Sequence, residues 1–282
     1  MKNKKKAQNK KPPRQKLQPA KSLVEFDKYD YYRRSVQSPE VDVVFFQDTF
    51  QEIKKRKAKI FREDFCGTFS ICCEWVKLDQ SNESYGLDLD PEPLAYGREK
   101  YLSSLSDEQK RRIHVQQMNV MDEAAPRADI IAALNFSYFI FKQRSQLFNY
   151  FRNSYVTLNE GGLFIIDAFG GSHCQEANEE EIVHKDFSYF WDQDNFDPVT
   201  NHALFYIHFK RRGEKKREKV FTYDWRMWAI PELRDLLEEV GFKKVHIYWE
   251  GTTADGEGDG VFRPVTSGEE CQAWVAYLIG EK

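Results

Sequence analysis

The sequence has no run of apolar residues long enough to cross a membrane. None approaches the roughly 18 residues that a spanning helix needs, and the amino-terminal residues show no apolar stretch of the kind found in secretory signals. Only five of the 282 residues are cysteines, and no two are spaced as C-x-x-C. These absences argue against a membrane protein, a disulfide framework and a zinc site, and favour a reducing, cytoplasmic setting.

Basic residues are outnumbered by acidic ones outside the first 20 positions. That segment holds eight of the 42 Lys and Arg residues and no acid, so the remaining 34 bases face 45 acids, a net charge of −11. Residues 1–21 are rich in Lys, Gln and Pro, and we predict a disordered basic tail there. Such a tail either binds nucleic acid or merely aids solubility, and the second role is the commoner one.

Strand-like and helix-like patterns alternate along most of the chain. Residues 22–57 have an irregular helical pattern, which predicts an N-terminal cap or lid. Short apolar runs then alternate with amphipathic segments over 58–282, as in parallel strands joined by helices. The alternation breaks at about 170–228, where we predict an insertion that contains a β-hairpin. The Gly-rich segment 250–270 is predicted to be either a mobile loop near the substrate mouth or a plain connector.

The most informative segment is Phe61–Pro91. A short strand runs into two acids, Glu63 and Asp64, and a tight turn over Cys66–Thr68 leads into a helix. A second strand ends in Asp88, 24 positions after Asp64. The order of strand, small-residue turn, helix, strand and acid is the one that holds an adenosine ribose at the carboxyl ends of a parallel sheet. A carboxylate suits this role because the ribose diol offers two hydrogen-bond donors.

These motifs resemble those of the class I S-adenosylmethionine-dependent methyltransferases, over about residues 58–280. In that family the first strand ends in an acid and a turn of the form D-x-G-C-G-T-G. Here the matching residues run from Glu63 to Phe69, and only the middle glycine, Gly67, is kept. Phe65 and Phe69 stand where the family has its outer glycines, and we expect Phe69 to narrow the approach to a cofactor because it lacks the backbone freedom of glycine.

The resemblance implies a Rossmann-like, doubly wound α/β fold. Its sheet would be mostly parallel and seven-stranded, with helices on both faces and the inserted hairpin after the fifth strand. The resemblance also implies S-adenosylmethionine as cofactor. Asp88 matches the acid that binds the ribose hydroxyls, Asn119 the residue that binds the adenine amine, and Asn135 a position near the methyl group. The full set of implied cofactor-binding residues is Glu63, Asp64, Cys66, Gly67, Thr68, Asp88, Leu89, Asn119, Val120 and Asn135.

Asn135 and Tyr138 are the predicted catalytic residues, because they follow the fourth strand on the expected substrate side. Asn135 would orient the nucleophile, and Tyr138 would form an aromatic wall with Trp225 and Trp228, although core packing is an equally good interpretation of two of these rings. His173 is a candidate base, less favoured than a loop histidine with no role. No compact group of His, Asp and Glu demands a metal, so none is predicted.

We predict a methyltransferase that acts on a small molecule, because the insertion can cover a substrate and the acidic body disfavours a phosphate-binding face. Two alternatives remain open. One is an RNA- or ribosome-associated methyltransferase that uses the basic tail. The other is a non-catalytic S-adenosylmethionine-binding module, which Phe65 and Phe69 motivate. The missing G-x-G-x-x-G spacing argues against a dehydrogenase.

Overall fold

The structure is a computed structural model that describes residues 25–253 and 258–282. The predicted basic tail and residues 254–257 therefore lie outside the described part. The helices are α1 (Lys28–Val36), α2 (Pro39–Lys54), α3 (Ser70–Leu78), α4 (Pro91–Lys100), α5 (Asp107–Lys110), α6 (Arg144–Thr157) and α7 (Ile230–Val240). The strands are β1 (Ile60–Asp64), β2 (Glu83–Asp88), β3 (Ile113–Gln117), β4 (Ala128–Ala133), β5 (Leu158–Gly170), β6 (Asn178–Val183), β7 (Phe187–Asp197), β8 (His202–Arg211), β9 (Arg217–Arg226), β10 (Lys244–Thr252), β11 (Gly258–Val265) and β12 (Trp274–Glu281).

The main sheet has eight strands in the order β11-β10-β12-β5-β4-β1-β2-β3. The five strands from β5 to β3 pair in parallel, and β12, β10 and β11 add three antiparallel pairings. The prediction of a mostly parallel α/β sheet is confirmed, but the predicted count of seven strands is wrong. The additional strand is β11, which pairs with β10 at the edge of the sheet and lies inside the segment expected to be a loop or connector.

Both faces of the main sheet are covered, as expected for a doubly wound fold. Along β4, Ile130 and Ala132 belong to one buried cluster and Ile131 and Ala133 to another. The first cluster includes residues of α2 and α3, and the second includes residues of α6 and α7. Because successive side chains of a strand point to opposite faces, the continuous apolar run of β4 is explained by burial on both sides.

The insertion is a four-stranded antiparallel sheet in the order β6-β7-β8-β9. The predicted hairpin corresponds to β8 and β9, and the prediction missed β6 and β7. Helix α1 packs against this second sheet, where its Tyr31 shares a buried cluster with Phe187 and Phe209. The insertion and helix α1 therefore pack against each other.

Side chains of β1 alternate between the two faces and separate the two predicted acids. Arg62 and Asp64 point into the core next to α6 and form a buried ion pair, with 2.9 Å between Nε and Oδ1. The Tyr150 hydroxyl also donates to Asp64, at 2.9 Å. Burial raises the pKa of Asp64, and the neighbouring Arg62 opposes that shift. Asp64 is thus a core residue, contrary to the predicted cofactor contact.

Among the described residues, no helix combines the length and the apolarity that crossing a membrane requires.

Candidate active site

The turn after β1 adopts an unusual backbone conformation. Phe65, Gly67 and Phe69 have φ angles of 57°, 51° and 47°, all in the left-handed region. This region costs an L-residue other than glycine roughly 1–2 kcal/mol. The two phenylalanines therefore take the backbone conformation that the missing glycines would favour, and their packing offsets the cost. The ring of Phe65 lies 5.6 Å from that of Tyr150 between centroids, and Phe69 is fully buried.

Phe69 packs beneath the turn and does not narrow the approach to it, contrary to our expectation. Its ring occupies a space that Gly97 of α4 leaves free, since a Cβ at Gly97 would lie 2.5 Å from the Phe69 ring and 2.2 Å from the carbonyl oxygen of Thr68. Gly97 is therefore a supporting residue that sequence reasoning missed. A glycine on the sheet-facing side of α4 was the available signal.

Asp88 joins the turn after β1 to the turn after β2. Its Oδ2 accepts a hydrogen bond from the N–H of Gly67 at 2.7 Å, and its Oδ1 accepts one from the N–H of Asp90 at 2.9 Å. Each oxygen keeps a further lone pair, so the carboxylate can still accept from a diol. Asp90 caps α4 by accepting from the N–H of Glu92, as its position before Pro91 predicts.

A cavity of about 200 Å³ lies beside the Cys66–Thr68 turn. We call it the loop cavity, and its walls include Tyr29, Tyr32, Glu63, Gly67, Asp90 and Asn135. A Cβ at Gly67 would meet no atom within 4 Å, so this residue faces open space. Burial raises the pKa of Glu63 to about 8, although the Cys72 thiol donates a hydrogen bond to it. Glu63 is thus the acid of the first motif that faces the cavity.

Neither Asp88 nor the other predicted contacts of the adenosine part line the loop cavity. Leu89 is 61% exposed. Asn119 is exposed, and its Oδ1 accepts from the N–H of Met121 at 2.9 Å. Val120 is buried, with its carbonyl accepting from the Asn153 amide. These residues follow the neighbouring strands β2 and β3, on the Asp88 side of the site.

The turn after β4 is the second left-handed turn of the site. Asn135 and Phe136 have φ angles of 54° and 58°. Their N–H groups donate to the two carboxylate oxygens of Asp167 in β5, at 2.7 and 2.9 Å. Burial raises the pKa of Asp167 to about 7, and the two N–H bonds oppose that shift. Sequence reasoning missed Asp167; its signal was an acid inside the apolar run of β5.

Asn135 lies where three cavities meet. Besides the loop cavity, it lines an aromatic cavity of about 170 Å³ between the main sheet and the insertion. It also lines an outer cleft of about 970 Å³ between α2 and the strands β10, β11 and β12. The aromatic cavity is walled by Tyr32, Phe136, Phe169, Trp191, Tyr223 and Trp225, among others. One residue thus lines every compartment of the site.

The other predicted catalytic residue, Tyr138, lies in the core. It is fully buried, and its hydroxyl donates to the carbonyl oxygen of Asp167 at 2.8 Å. Trp228 is likewise a core residue, with its indole N–H donating to the carbonyl of Phe141. Of the three predicted wall residues, only Trp225 lines the aromatic cavity. His173 is exposed on a 3₁₀ turn and lines none of the three cavities.

Within the described residues, one group has metal-ligand composition: Glu179, Asp192 and His208 of the insertion. Nδ1 of His208 accepts from the N–H of Lys219 at 2.7 Å, which assigns the ring proton to Nε2. Nε2 lies 2.9 Å from Asp192 and donates to it, and the Lys216 ammonium contacts Glu179. Each of the three side chains therefore has a partner within the protein, His208 and Asp192 in each other and Glu179 in Lys216.

Comparisons with known proteins show which solved structures share this architecture. No family model and no curated protein matches the sequence. Among solved structures, a methyltransferase from Clostridium acetobutylicum superposes with a TM-score of 0.59 at 16% identity, over 89% of this chain and 95% of that one. An amino pentose methyltransferase from Micromonospora echinaspora superposes with a TM-score of 0.62 at 11% identity, over 90% of this chain and 98% of that one. A sugar N-methyltransferase from Streptoalloteichus superposes with a TM-score of 0.59 at 14% identity, over 95% of this chain and 99% of that one.

The chain has the class I methyltransferase fold. The resemblance stated from the sequence motifs is therefore confirmed for the architecture. The class I fold brings the turns after β1, β2 and β4 to one edge of the sheet, where the three cavities lie.

The left-handed turn allows a direct test. We expect Phe65→Gly to be more stable than Phe65→Ala by about 1 kcal/mol, because only glycine is free of strain at a φ of 57°. Urea denaturation of both variants measures the difference. Phe141, with a φ of −78°, is the matched control, and there the alanine variant should be the more stable one. If the same one of the two substitutions, glycine or alanine, were the more stable at both positions, the backbone strain assigned to Phe65 would be contradicted.

Proposed function

We propose that this chain is an S-adenosylmethionine-dependent methyltransferase that acts on a small-molecule acceptor. The observation that carries the proposal is the open side of Gly67, which faces the loop cavity together with Glu63 and Asn135 at the carboxyl ends of the parallel strands. The methyltransferase fold adds support. Two of the structural neighbours, an amino pentose methyltransferase and a sugar N-methyltransferase, are named for small-molecule acceptors.

The residues that line the loop cavity, together with Asp88 and Asn119 beside it, fit the cofactor chemically. The space at Gly67 lets a ligand approach the backbone, and the Glu63 carboxyl offers a partner for an ammonium group. Asp88 keeps acceptor capacity for a ribose diol, and Asn119 would hold the adenine amine. When bound, S-adenosylmethionine supplies a methyl group on a sulfonium, which a nucleophile takes as the carbon–sulfur bond breaks to leave S-adenosylhomocysteine.

The protein's own contribution would be alignment and exclusion of water. Asn135 is the positioned polar group between the loop and aromatic cavities, and we propose that its amide orients the acceptor. Asp167 supports Asn135 through the backbone, and Tyr138 supports Asp167 from the core. Helix α1 contributes Tyr29 and Tyr32 to the walls, so we propose that the amino-terminal helices act as a cap.

The RNA-directed alternative gains no support from the cavity walls. In the part of the chain that the structure describes, no Lys, Arg or His lines any of the three cavities. A phosphate backbone is bound chiefly through such cations. The basic tail, on which that alternative depends, lies outside the described residues.

Removing the ribose partner should weaken cofactor binding. We expect Asp88→Ala to lose about 1.5–3 kcal/mol of binding free energy for S-adenosylmethionine, since hydrogen bonds to a charged group are lost. Calorimetric titration measures the change. Asp79→Ala is the matched control, because Asp79 also accepts a backbone N–H two residues along the chain but lies at the carboxyl end of α3, away from the Cys66–Thr68 turn that Asp88 contacts. Equal affinities in all three proteins would move the ribose site elsewhere.

Cofactor affinity should also depend on pH through Glu63. With a pKa of about 8, Glu63 is mostly protonated near neutrality, so its ionisation must accompany binding of an ammonium group. That cost falls as the pH rises, and affinity for S-adenosylhomocysteine should increase by as much as about tenfold per pH unit between about pH 5.5 and 7.5. Glu63→Gln should bind more weakly and flatten the profile. A flat profile in the native protein would exclude Glu63 as the ammonium partner.

A further inference from the structure

We propose that the aromatic cavity receives the methyl acceptor and that this acceptor is a small organic amine, cationic in solution. The inference rests on the proposed function and deepens it by naming the class of substrate. Three observations carry it: the size and aromatic walls of the cavity, its phenolic groups, and the sign of charge along the route into it.

The walls of the aromatic cavity are built for a flat or cationic group. Tyr223 stacks on Trp225 with 4.5 Å between ring centroids, and Phe136 lies 4.4 Å from Phe169. The volume of about 170 Å³ compares with about 150 Å³ for a protein cavity that holds benzene. Aromatic faces attract ammonium groups, most strongly where water is excluded. The cavity therefore suits the reacting end of a molecule about the size of one ring.

Phenol groups provide the polar contacts inside this apolar cavity. Tyr32, Tyr189 and Tyr223 all line it, and the hydroxyl groups of Tyr32 and Tyr223 share a hydrogen bond. Burial raises the pKa of Tyr32 to about 12 and raises that of Tyr223 well above its usual value, so both stay neutral. A neutral phenol oxygen accepts an N–H and does not require a charged partner.

The route into the aromatic cavity is acidic. The outer cleft shares four lining residues with it, Val36, Asn135, Phe136 and Val275, so the two compartments are adjacent. The cleft walls include the acids Glu40, Asp42, Asp167 and Glu250. Arg33 pairs with Glu40 from outside the cleft, but no described Lys, Arg or His lines either compartment, so the field along this route favours a cation over an anion.

Three probes of equal size and different charge test the inference: benzylamine, benzyl alcohol and benzoate. Binding to the full chain is followed by tryptophan fluorescence, because Trp191 and Trp225 line the cavity. We expect benzylamine to bind at least about tenfold more tightly than benzyl alcohol, a difference within the range of a desolvated cation–π contact. Benzoate should bind most weakly. Equal binding of the three probes, or a preference for benzoate, would overturn the amine assignment.

Two variants locate the binding. Trp191→Leu removes an aromatic wall, and Tyr189→Phe removes only a hydroxyl, so the second remains informative if the first fails to fold; neither residue lines the loop cavity. Both should weaken benzylamine binding severalfold and leave the affinity for S-adenosylhomocysteine within about twofold. Trp249→Leu is the control, because Trp249 packs against Trp274 and lines neither compartment. Benzylamine binding that neither variant changes would overturn the location.

The outcomes also separate this inference from the proposed function. Binding of S-adenosylhomocysteine without a preference for benzylamine would overturn the amine acceptor and leave the methyltransferase function standing. Selective benzylamine binding in a chain that binds no S-adenosylhomocysteine would support the cavity assignment and overturn the methyltransferase function.

Discussion

The carboxylate of Asp167 determines where the loop after β4 goes. It accepts the N–H groups of both Asn135 and Phe136, which lie consecutively in the left-handed region. Two such residues in sequence would be costly without a partner that satisfies both donors. The bonds turn the chain so that Asn135 contacts three cavities and Phe136 enters the aromatic wall. The geometry of the site therefore depends on one buried acid that contacts it through the backbone.

The turn after β1 follows the same physical logic with different residues. Asp88 accepts the N–H of Gly67, and aromatic packing around Phe65 and Phe69 offsets two further left-handed conformations. Phenylalanines at these positions therefore do not argue against a ligand-binding turn. They exchange the freedom of glycine for buried ring contacts, while the one position that faces open space remains a glycine.

The central strands of the main sheet could be predicted because they are buried on both faces, as the run of β4 shows. Strand β6, N-E-E-E-I-V, and the edge strand β11, which contains Gly260 and Pro264, have compositions that disfavour strands and escape a pattern-based prediction. Glu63 and Asp64 are adjacent in sequence, and the sequence alone did not show that Glu63 faces the cavity and Asp64 the core. The face that a strand residue occupies depends on the register of the strand. Tyr138 was misjudged because a tyrosine next to a predicted site can equally support it from the core.

The central claim is that the open side of Gly67 belongs to a cofactor site. Gly161 offers a matched position, since it also has a positive φ, +70° against +51°, and no atom within 4 Å of an added Cβ. Alanine should therefore cost both variants a similar stability, about 1 kcal/mol. Calorimetric titration with S-adenosylmethionine should show native affinity in Gly161→Ala and a large loss in Gly67→Ala. Equal affinity in the two variants, or no binding to the native chain at millimolar ligand, would contradict the account.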